Sequence, residues 1–251
     1  MQQFSLEGRV ALITGGSRGI GEAMALAMGK AGARVVICSR KEGPLQAAAE
    51  RLQAEGVDAR GYALNVGKPE EFEPMVEWLR EHYGQVNILV NNAAANPVFG
   101  AVDATEAWAF DKIMDVNLKG PFMLSTALLP LFAEGSASII NVSSIGGLSP
   151  EPGLGIYSVS KAALVSLTKV MAKEWAGRGI RANVICPGLI KTQFSQALWQ
   201  NEAILEHMMT AVPMGRMGTP EEIAGLGVFL AADASAYCTG AVFTADGGYL
   251  I

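Results

Sequence analysis

Short runs of hydrophobic residues alternate with longer amphipathic segments along the chain. The short runs are rich in Val and Ile and predict buried strands, whereas the longer segments repeat hydrophobic residues at helical spacing and predict helices. This alternation is typical of βαβ units, so it predicts an α/β fold with one doubly wound, seven-stranded parallel sheet and helices on both faces. The predicted strands are residues 10–14, 34–39, 59–63, 88–91, 137–142, 181–185 and 241–245; the predicted helices are residues 20–31, 44–55, 69–82, 107–132, 156–176 and 220–231.

Length and composition favour a single domain. The chain has 251 residues, of which 50% are hydrophobic and 17% are charged, which is enough apolar material for one large core and excludes a disordered chain. We therefore expect one domain over residues 1–251. Within it, residues 189–216 follow neither periodicity and are rich in methionine and aromatic residues, which predicts a lid over a substrate site.

Charge and the residue inventory exclude several classes of function. The net charge of −5 argues against a nucleic-acid partner, because contacts to phosphates need a basic face. The sequence has neither a basic and apolar leader nor the ~18 consecutive apolar residues of a membrane span, so we expect a cytoplasmic protein without a membrane partner. His82 and His207 are isolated, which predicts no metal site. The distant Cys38, Cys186 and Cys238 are expected to be buried thiols.

A glycine-rich turn directly follows the first predicted strand. It has the pattern T-G-x-x-x-G-x-G at residues 14–21, and a helical pattern begins at once. Because glycine lacks a Cβ, the backbone of such a turn can approach a pyrophosphate, which the N–H groups of the helix N-terminus then stabilise. This context predicts a dinucleotide-binding Rossmann fold, although glycines alone could also form a tight turn that binds nothing. The cofactor contacts predicted in the turn are Gly15, Ser17, Arg18, Gly19, Ile20 and Gly21.

The end of the second predicted strand indicates which cofactor binds. A site selective for NAD places Asp or Glu there to bind the ribose 2′-hydroxyl, but this chain has Ser39. Arg40 follows, and Arg18 lies in the glycine turn, so two guanidinium groups can bind a ribose 2′-phosphate. We therefore predict NADP(H) as the cofactor, the alternative being that Arg40 is only a solvated residue.

A tyrosine and a lysine four residues apart share one face of a predicted helix. The ammonium group of Lys161 would favour the phenolate of Tyr157 and so bring its pKa from about 10 towards neutral pH, where a phenol can act as acid or base. Ser144 follows a strand at the edge where parallel sheets bind ligands, and its hydroxyl can donate a hydrogen bond to a substrate carbonyl. Taken singly, these three could also be surface or capping residues.

In this order, six features of the chain together resemble the classical short-chain dehydrogenases/reductases over essentially its whole length. They are T-G-x-x-x-G-x-G at 14–21, Asn91-Asn92-Ala93-Ala94, Asn117, Ser144, Y-x-x-x-K at 157–161 and Pro187-Gly188. Ala94 departs from the family, which usually has glycine at this position. The loops 96–100, 149–153 and 189–195 are similar to those of the NADP-dependent carbonyl and retinal reductase branch.

The resemblance implies a role for each matched residue. It implies that Tyr157 is the general acid in reduction or the base in oxidation, that Lys161 binds the nicotinamide ribose, and that Ser144 orients the substrate. It also implies a proton relay through water at Asn117 and a homotetramer formed through the central helices and the C-terminal segment. The further cofactor contacts it implies are Asn65 and Val66 beside the adenine, Asn92 in the cleft, Pro187 and Gly188, and Ile190 and Thr192 at the nicotinamide carboxamide.

The expected activity is an NADP(H)-dependent hydride transfer between the nicotinamide and a small ketone, aldehyde or secondary alcohol with an apolar body. A 3-oxoacyl carrier-protein reductase is one alternative, which is disfavoured because residues 131–136 contain no Lys or Arg for an acidic carrier. A non-catalytic NADP(H)-binding regulator is the other, which the complete set of catalytic residue types disfavours. The apolar residues expected around the substrate are Val98, Phe99, Leu148, Leu154, Leu189, Phe194, Leu198, Trp199, Met208 and Met209.

Overall fold

Seven strands form one parallel sheet in the computed structural model, which describes residues 2–200 and 202–251. The strands are β1 Val10–Thr14, β2 Arg34–Ser39, β3 Ala59–Ala63, β4 Ile88–Asn91, β5 Ala137–Val142, β6 Ile180–Pro187 and β7 Val242–Ala245. Their spatial order is β3-β2-β1-β4-β5-β6-β7, so the chain runs to one edge, returns to the centre and runs to the other edge. The predicted doubly wound α/β Rossmann fold is thereby confirmed.

Helices connect the strands and cover both faces of the sheet. The α-helices are α1 Gly19–Lys30, α2 Glu42–Ala54, α3 Phe72–Tyr83, α4 Ala107–Met114, α5 Gly120–Ala127, α6 Gly155–Trp175, α7 Gln196–Trp199, α8 Glu202–Thr210 and α9 Pro220–Ala231. A π-helical segment, Asp115–Lys119, joins α4 to α5. Among the described helices, none has both the length and the apolar composition that a membrane span needs.

Alternate residues of the central strands belong to two separate hydrophobic cores. In β1, Ile13 packs with residues of α1, α2 and α9, whereas Leu12 packs with residues of α3, α5 and α6. Both side chains are fully buried, as expected for a strand covered on both faces. Burial of apolar surface stabilises the fold by about 25 cal/mol per Å². The two cores therefore hold the carboxyl ends of the strands rigidly along one edge of the sheet.

The prediction of a single helix over residues 107–132 is wrong. α4 ends at Met114, the π-helical segment follows, and α5 ends at Ala127. Pro121 gives a physical reason, because it has no N–H to donate to the carbonyl of Asn117, four residues earlier. The helix therefore changes its hydrogen-bonding pattern at this point and continues as a new α-helix.

Three smaller differences concern the second half of the chain. The segment 189–216 is not irregular throughout, since it contains the short helices α7 and α8. β6 is longer than the predicted strand 181–185 because its pairing with β7 continues to Pro187. Cys238 is half-buried rather than buried, whereas the other two cysteines are buried as predicted.

Candidate active site

The carboxyl ends of β1, β4, β5 and β6 border a cavity of about 500 Å³. The strand order reverses between β1 and β4, and open α/β sheets bind ligands at such a reversal. All predicted site residues except Gly21 and Asn117 line this cavity. The lining ones are Gly15, Ser17, Arg18, Gly19, Ile20, Ser39, Arg40, Asn65, Val66, Asn92, Ser144, Tyr157, Lys161, Pro187, Gly188, Ile190 and Thr192.

The glycine turn needs glycine for two different reasons. Gly15 and Gly19 have φ angles of +66° and +57°, which other residues rarely adopt. Gly21 permits close packing instead, because a Cβ on it would lie 2.4 Å from the carbonyl oxygen of Gly15. Asn92 fixes the turn, since its Nδ2 donates to the carbonyl oxygens of Thr14 at 2.9 Å and Gly15 at 3.2 Å. The N-terminus of α1 thus borders the cavity, where it can stabilise an anion.

The charged side chains that line the cavity near this turn are cationic. Arg18 and Arg40 line the cavity, and among the described lining residues there is no Asp or Glu. Ser17 Oγ donates to Ser39 Oγ at 3.2 Å, at the end of β2 next to Arg40. Arg18 Nη1 donates to Oε1 of Gln193, so this guanidinium is held by the segment that follows β6. A glycine cradle, a helix N-terminus and an unopposed positive charge fit the phosphates of a dinucleotide.

The side chains of Tyr157 and Ser144 both line the other end of the cavity. Tyr157 lies in the first turn of α6, and its ring centroid is 6.1 Å from that of Phe194. Burial raises the pKa of Tyr157 to about 12, and the hydrogen bond with Ser144 opposes this rise only in part. The expected shift towards neutral pH is therefore not found, because desolvation destabilises the phenolate more than its neighbours stabilise it. The phenol keeps its proton at neutral pH and is available as a proton donor.

Lys161 is a buried amine beside this pair. Its Nζ donates to the carbonyl oxygen of Val142 at 2.8 Å and lies 5.6 Å from the ring centroid of Tyr157. Burial lowers the pKa of Lys161 to about 8. Because an ammonium group has three N–H donors, Lys161 can also donate to hydroxyl groups of a ligand in the cavity that it lines.

Asn117 lies behind the cavity wall, in the π-helical segment. Its Oδ1 accepts from the N–H of Ala95 at 2.8 Å, and its Nδ2 donates to the carbonyl of Ala95 and to Ser160 Oγ, both at 3.0 Å. Ala95 lines the cavity, so Asn117 joins one wall of the site to α6. The water relay that the resemblance implies at Asn117 stays a prediction.

Sequence reasoning missed a row of buried polar side chains beneath the site. Asn91 Nδ2 donates to Asn141 Oδ1 at 2.8 Å and to Ser125 Oγ at 3.2 Å. Asn141 Nδ2 in turn donates to Thr168 Oγ1 at 2.8 Å. The row connects β4, β5, α5 and α6. A signal was available, because Asn91 ends the otherwise apolar strand β4, and Asn141 stands between Ile140 and Val142 in β5.

The remaining wall of the cavity is mostly apolar. Six of the ten apolar residues expected around a substrate line it: Val98, Phe99, Leu154, Leu189, Phe194 and Leu198. The other four, Leu148, Trp199, Met208 and Met209, do not. Trp199 instead stabilises the segment after β6, since its Nε1 donates to the carbonyl of Thr192 at 2.9 Å and its ring lies 5.6 Å from Lys191 Nζ.

The described residues contain no group of three or more His, Cys, Asp and Glu side chains that could hold a metal ion. His82 is exposed and stacks on Trp78, with ring centroids 4.4 Å apart. The side chain of His207 lies outside the described residues.

Comparisons with known sequences identify the family. The model of the family described as enoyl-(acyl carrier protein) reductase matches residues 15–250. Dehydrogenase/reductase SDR family member 4 of Sus scrofa is 43% identical over 245 residues, which cover 97% of this chain and 88% of the relative. The chain therefore belongs to the classical short-chain dehydrogenases/reductases. This is a family of oxidoreductases that use nicotinamide cofactors.

Solved structures agree with this assignment over the whole chain. A gluconate 5-dehydrogenase from Burkholderia cenocepacia J2315, in complex with NADP and tartrate, has a TM-score of 0.94 and 34% identity and covers 99% of this chain and 97% of its own. RhlG from Pseudomonas aeruginosa, in complex with NADP, has a TM-score of 0.93 and 37% identity and covers 100% of both chains.

The hydrogen bonds of Asn117 predict a specific loss of stability. Asn117→Ala would remove three hydrogen bonds of a fully buried side chain, including the buried one to Ser160 Oγ, so we expect the free energy of unfolding to fall by about 2 kcal/mol or more. Urea unfolding would measure this loss of free energy. Asn96→Ala, at a half-buried position of the same loop, is the matched control and should change stability much less. Equal effects of the two substitutions would contradict the structural role of Asn117.

Proposed function

We propose that this protein is an NADP(H)-dependent carbonyl reductase or alcohol dehydrogenase, which interconverts a ketone or aldehyde with an apolar body and the corresponding alcohol. The observation that carries the proposal is the group of buried Tyr157 and Lys161 and half-buried Ser144 at one end of a cavity whose other end has a glycine cradle and arginine side chains. Membership of an oxidoreductase family supports the same chemistry.

The proposed cofactor contacts begin at the glycine turn. Gly15, Ser17, Gly19 and Ile20 would bind the pyrophosphate, with Gly21 as the residue that lets the turn pack. Bound NADP(H) would supply the hydride to a carbonyl carbon or accept it from an alcohol carbon. The proposal for NADP(H) is supported by the cationic lining and by the NADP complexes of similar chains. The remaining proposed contacts are Arg18, Ser39, Arg40, Asn65, Val66, Asn92, Tyr157, Lys161, Pro187, Gly188, Ile190 and Thr192.

In the proposed mechanism, side chains of the protein donate the proton that the substrate oxygen needs and stabilise the charge that remains. In reduction, Tyr157 donates its hydroxyl proton to the substrate oxygen, and Ser144 donates a hydrogen bond to the same oxygen as negative charge develops there. The cationic form of Lys161 stabilises the phenolate that remains. Water beside Asn117 would return a proton to the phenolate. In oxidation the deprotonated Tyr157 would accept the hydroxyl proton of the alcohol, which is the reverse of the same step.

We propose a substrate with an apolar body because the cavity wall near Tyr157 is apolar. Phe99, Leu154, Leu189 and Phe194 offer apolar contact area there, and the residues 189–216 would act as the lid. A sugar acid is the second candidate, because a structure 34% identical to this chain is of a gluconate 5-dehydrogenase. A sugar acid would need several polar partners in place of these side chains.

We also propose a homotetramer. Trp108, Phe110, Phe122 and Val159 are exposed apolar residues on α4, α5 and α6, the central helices through which the resemblance implies assembly. The cytoplasmic location expected from the sequence is likewise a proposal.

Tyr157→Phe tests the proposed proton donor. The substitution removes the hydroxyl but keeps the ring, so turnover should fall at least about 100-fold, the usual contribution of general acid catalysis. NADPH affinity, measured by fluorescence titration, should change less than about twofold, whereas a misfolded site would lose most of its affinity for NADPH. Tyr237→Phe, at a fully exposed tyrosine, is the matched control. A variant that kept a tenth of the parent rate would show that another group supplies the proton.

Cofactor choice can be tested at the end of β2. NADPH should give a higher kcat/KM than NADH, and Ser39→Asp should narrow or reverse the difference, because a carboxylate repels the 2′-phosphate and accepts from a 2′-hydroxyl. Ser136→Asp adds the same charge at an exposed turn and should leave the preference unchanged. Equal efficiency with both cofactors in the parent protein would contradict the proposal.

A substrate panel separates the two candidate functions. Aromatic and medium-chain ketones should have higher kcat/KM than sugar acids of similar size, with most of the difference in KM, since apolar contacts mainly bind the substrate. A carrier-linked 3-oxoacyl substrate and its free analogue belong in the same panel. Preference for the sugar acids would favour the second candidate, and preference for the carrier-linked substrate would favour a carrier-protein reductase.

A further inference from the structure

The C-terminal residues form a turn that contacts the end of the proposed lid. Asp246 accepts hydrogen bonds from the N–H of Gly248 at 3.0 Å and of Leu250 at 3.1 Å, which fix the turn. The carbonyl of Gly247 accepts from the N–H of Met214 at 3.1 Å, within the segment 189–216. The C-terminal turn is therefore joined to the far end of the segment 189–216, whose first residues line the cavity.

The same turn is joined to the loop 149–153 by one side-chain contact. Tyr249 donates its hydroxyl hydrogen to Glu151 Oε1 at 2.8 Å, although the two residues are 98 positions apart. Both residues are half-buried. Burial and the neighbouring carboxylate raise the pKa of Tyr249, so its hydroxyl remains a donor across the neutral range.

The loop that contains Glu151 shapes the apolar wall of the cavity. The carbonyl of Glu151 accepts from the N–H of Leu154 at 3.2 Å, and the carbonyl of Gly153 accepts from the N–H of Gly100 at 3.1 Å. Gly153 has a φ of +85°, and a Cβ on it would lie 2.8 Å from Cζ of Phe99. Leu154 and Phe99 both line the cavity. A shift of this loop would therefore move two of the side chains that face the substrate.

We infer that Tyr249 and Glu151 are positioning residues, which hold the apolar wall of the substrate site against the C-terminal turn and thereby determine how well substrates with a large apolar body bind. The inference rests on the proposed function, since it takes the wall of Phe99 and Leu154 as the one that contacts the substrate. Neither Tyr249 nor Glu151 lines the cavity, so their effect must act through that wall.

Tyr249→Phe removes the donor and keeps the ring. With a medium-chain or aromatic ketone, KM should rise about fivefold, the effect expected from one lost hydrogen bond, while kcat changes less than about twofold. With a three-carbon ketone, too small to reach the wall, KM should not change. The Kd of NADPH should stay the same, and Tyr237→Phe is the matched control.

The partner residue gives a second, independent test. Glu151→Ala should raise KM as Tyr249→Phe does, whereas Glu151→Gln keeps an acceptor for the tyrosine hydroxyl and should restore most of the parent KM. The double variant Tyr249→Phe/Glu151→Ala should be no worse than either single variant, because both remove the same bond. Additive effects, or an equal rise of KM for large and small ketones, would overturn the inference.

A measurement without turnover keeps the inference separate from the proposed function. Hydrogen exchange of the parent protein and of Tyr249→Phe should show faster exchange at the amides of Gly100 and Leu154, and no such change in Tyr237→Phe. If no carbonyl compound were a substrate but this exchange difference appeared, the proposed function would fail and the positioning contact would stand. Unchanged exchange would show that Tyr249 does not hold the wall.

Discussion

Burial of the Lys161 amine is the constraint on which the active site depends. An ionisable group in the interior is costly unless polar partners surround it, and the carbonyl of Val142 at the end of β5 is the partner here. Ser143 Oγ also donates to the carbonyl of Lys161 at 2.8 Å, which fixes α6 to the same strand end. Gly147 packs so closely that a Cβ on it would lie 2.7 Å from the carbonyl carbon of Lys161. The position of Tyr157, one turn earlier on α6, follows from these contacts.

The site has a cationic end and an apolar end, and two adjacent residues connect them, because each residue contacts one end. Gln193 accepts a hydrogen bond from Arg18 at the cationic end, and the next residue, Phe194, packs near Tyr157 at the apolar end. Trp199 holds this segment through its hydrogen bond to the carbonyl of Thr192. Because adjacent residues share one backbone, a displacement at either end is transmitted to the other over a single peptide bond.

The sheet and the glycine turn could be predicted from sequence because their signals are local. A run such as 10–14, followed by glycines and a helical pattern, has few alternative structures. The apolar periodicity of residues 107–132 continues across Pro121 and so predicts one helix, although this proline removes a helical hydrogen bond.

Other features depend on neighbours that only the fold supplies. The raised pKa of Tyr157 comes from burial, which the spacing to Lys161 does not reveal. The contact of Glu151 with Tyr249 joins residues with no sequence pattern in common. The same holds for the bond from Arg18 to Gln193, since the segment 189–216 has no periodicity from which to place its side chains.

The π-helical segment Asp115–Lys119 has a consequence for how α4 and α5 can vary. A π turn contains one more residue than an α turn, and each residue of an α-helix turns the chain by about 100°. The faces of α4 and α5 are therefore out of phase, although the chain runs on without a loop. A loss of one residue here would remove the extra residue of the π turn but would rotate all of α5, including Leu124 in the core, away from its present neighbours. An insertion or deletion within this segment should therefore be tolerated as poorly as a change of side-chain size at a core position.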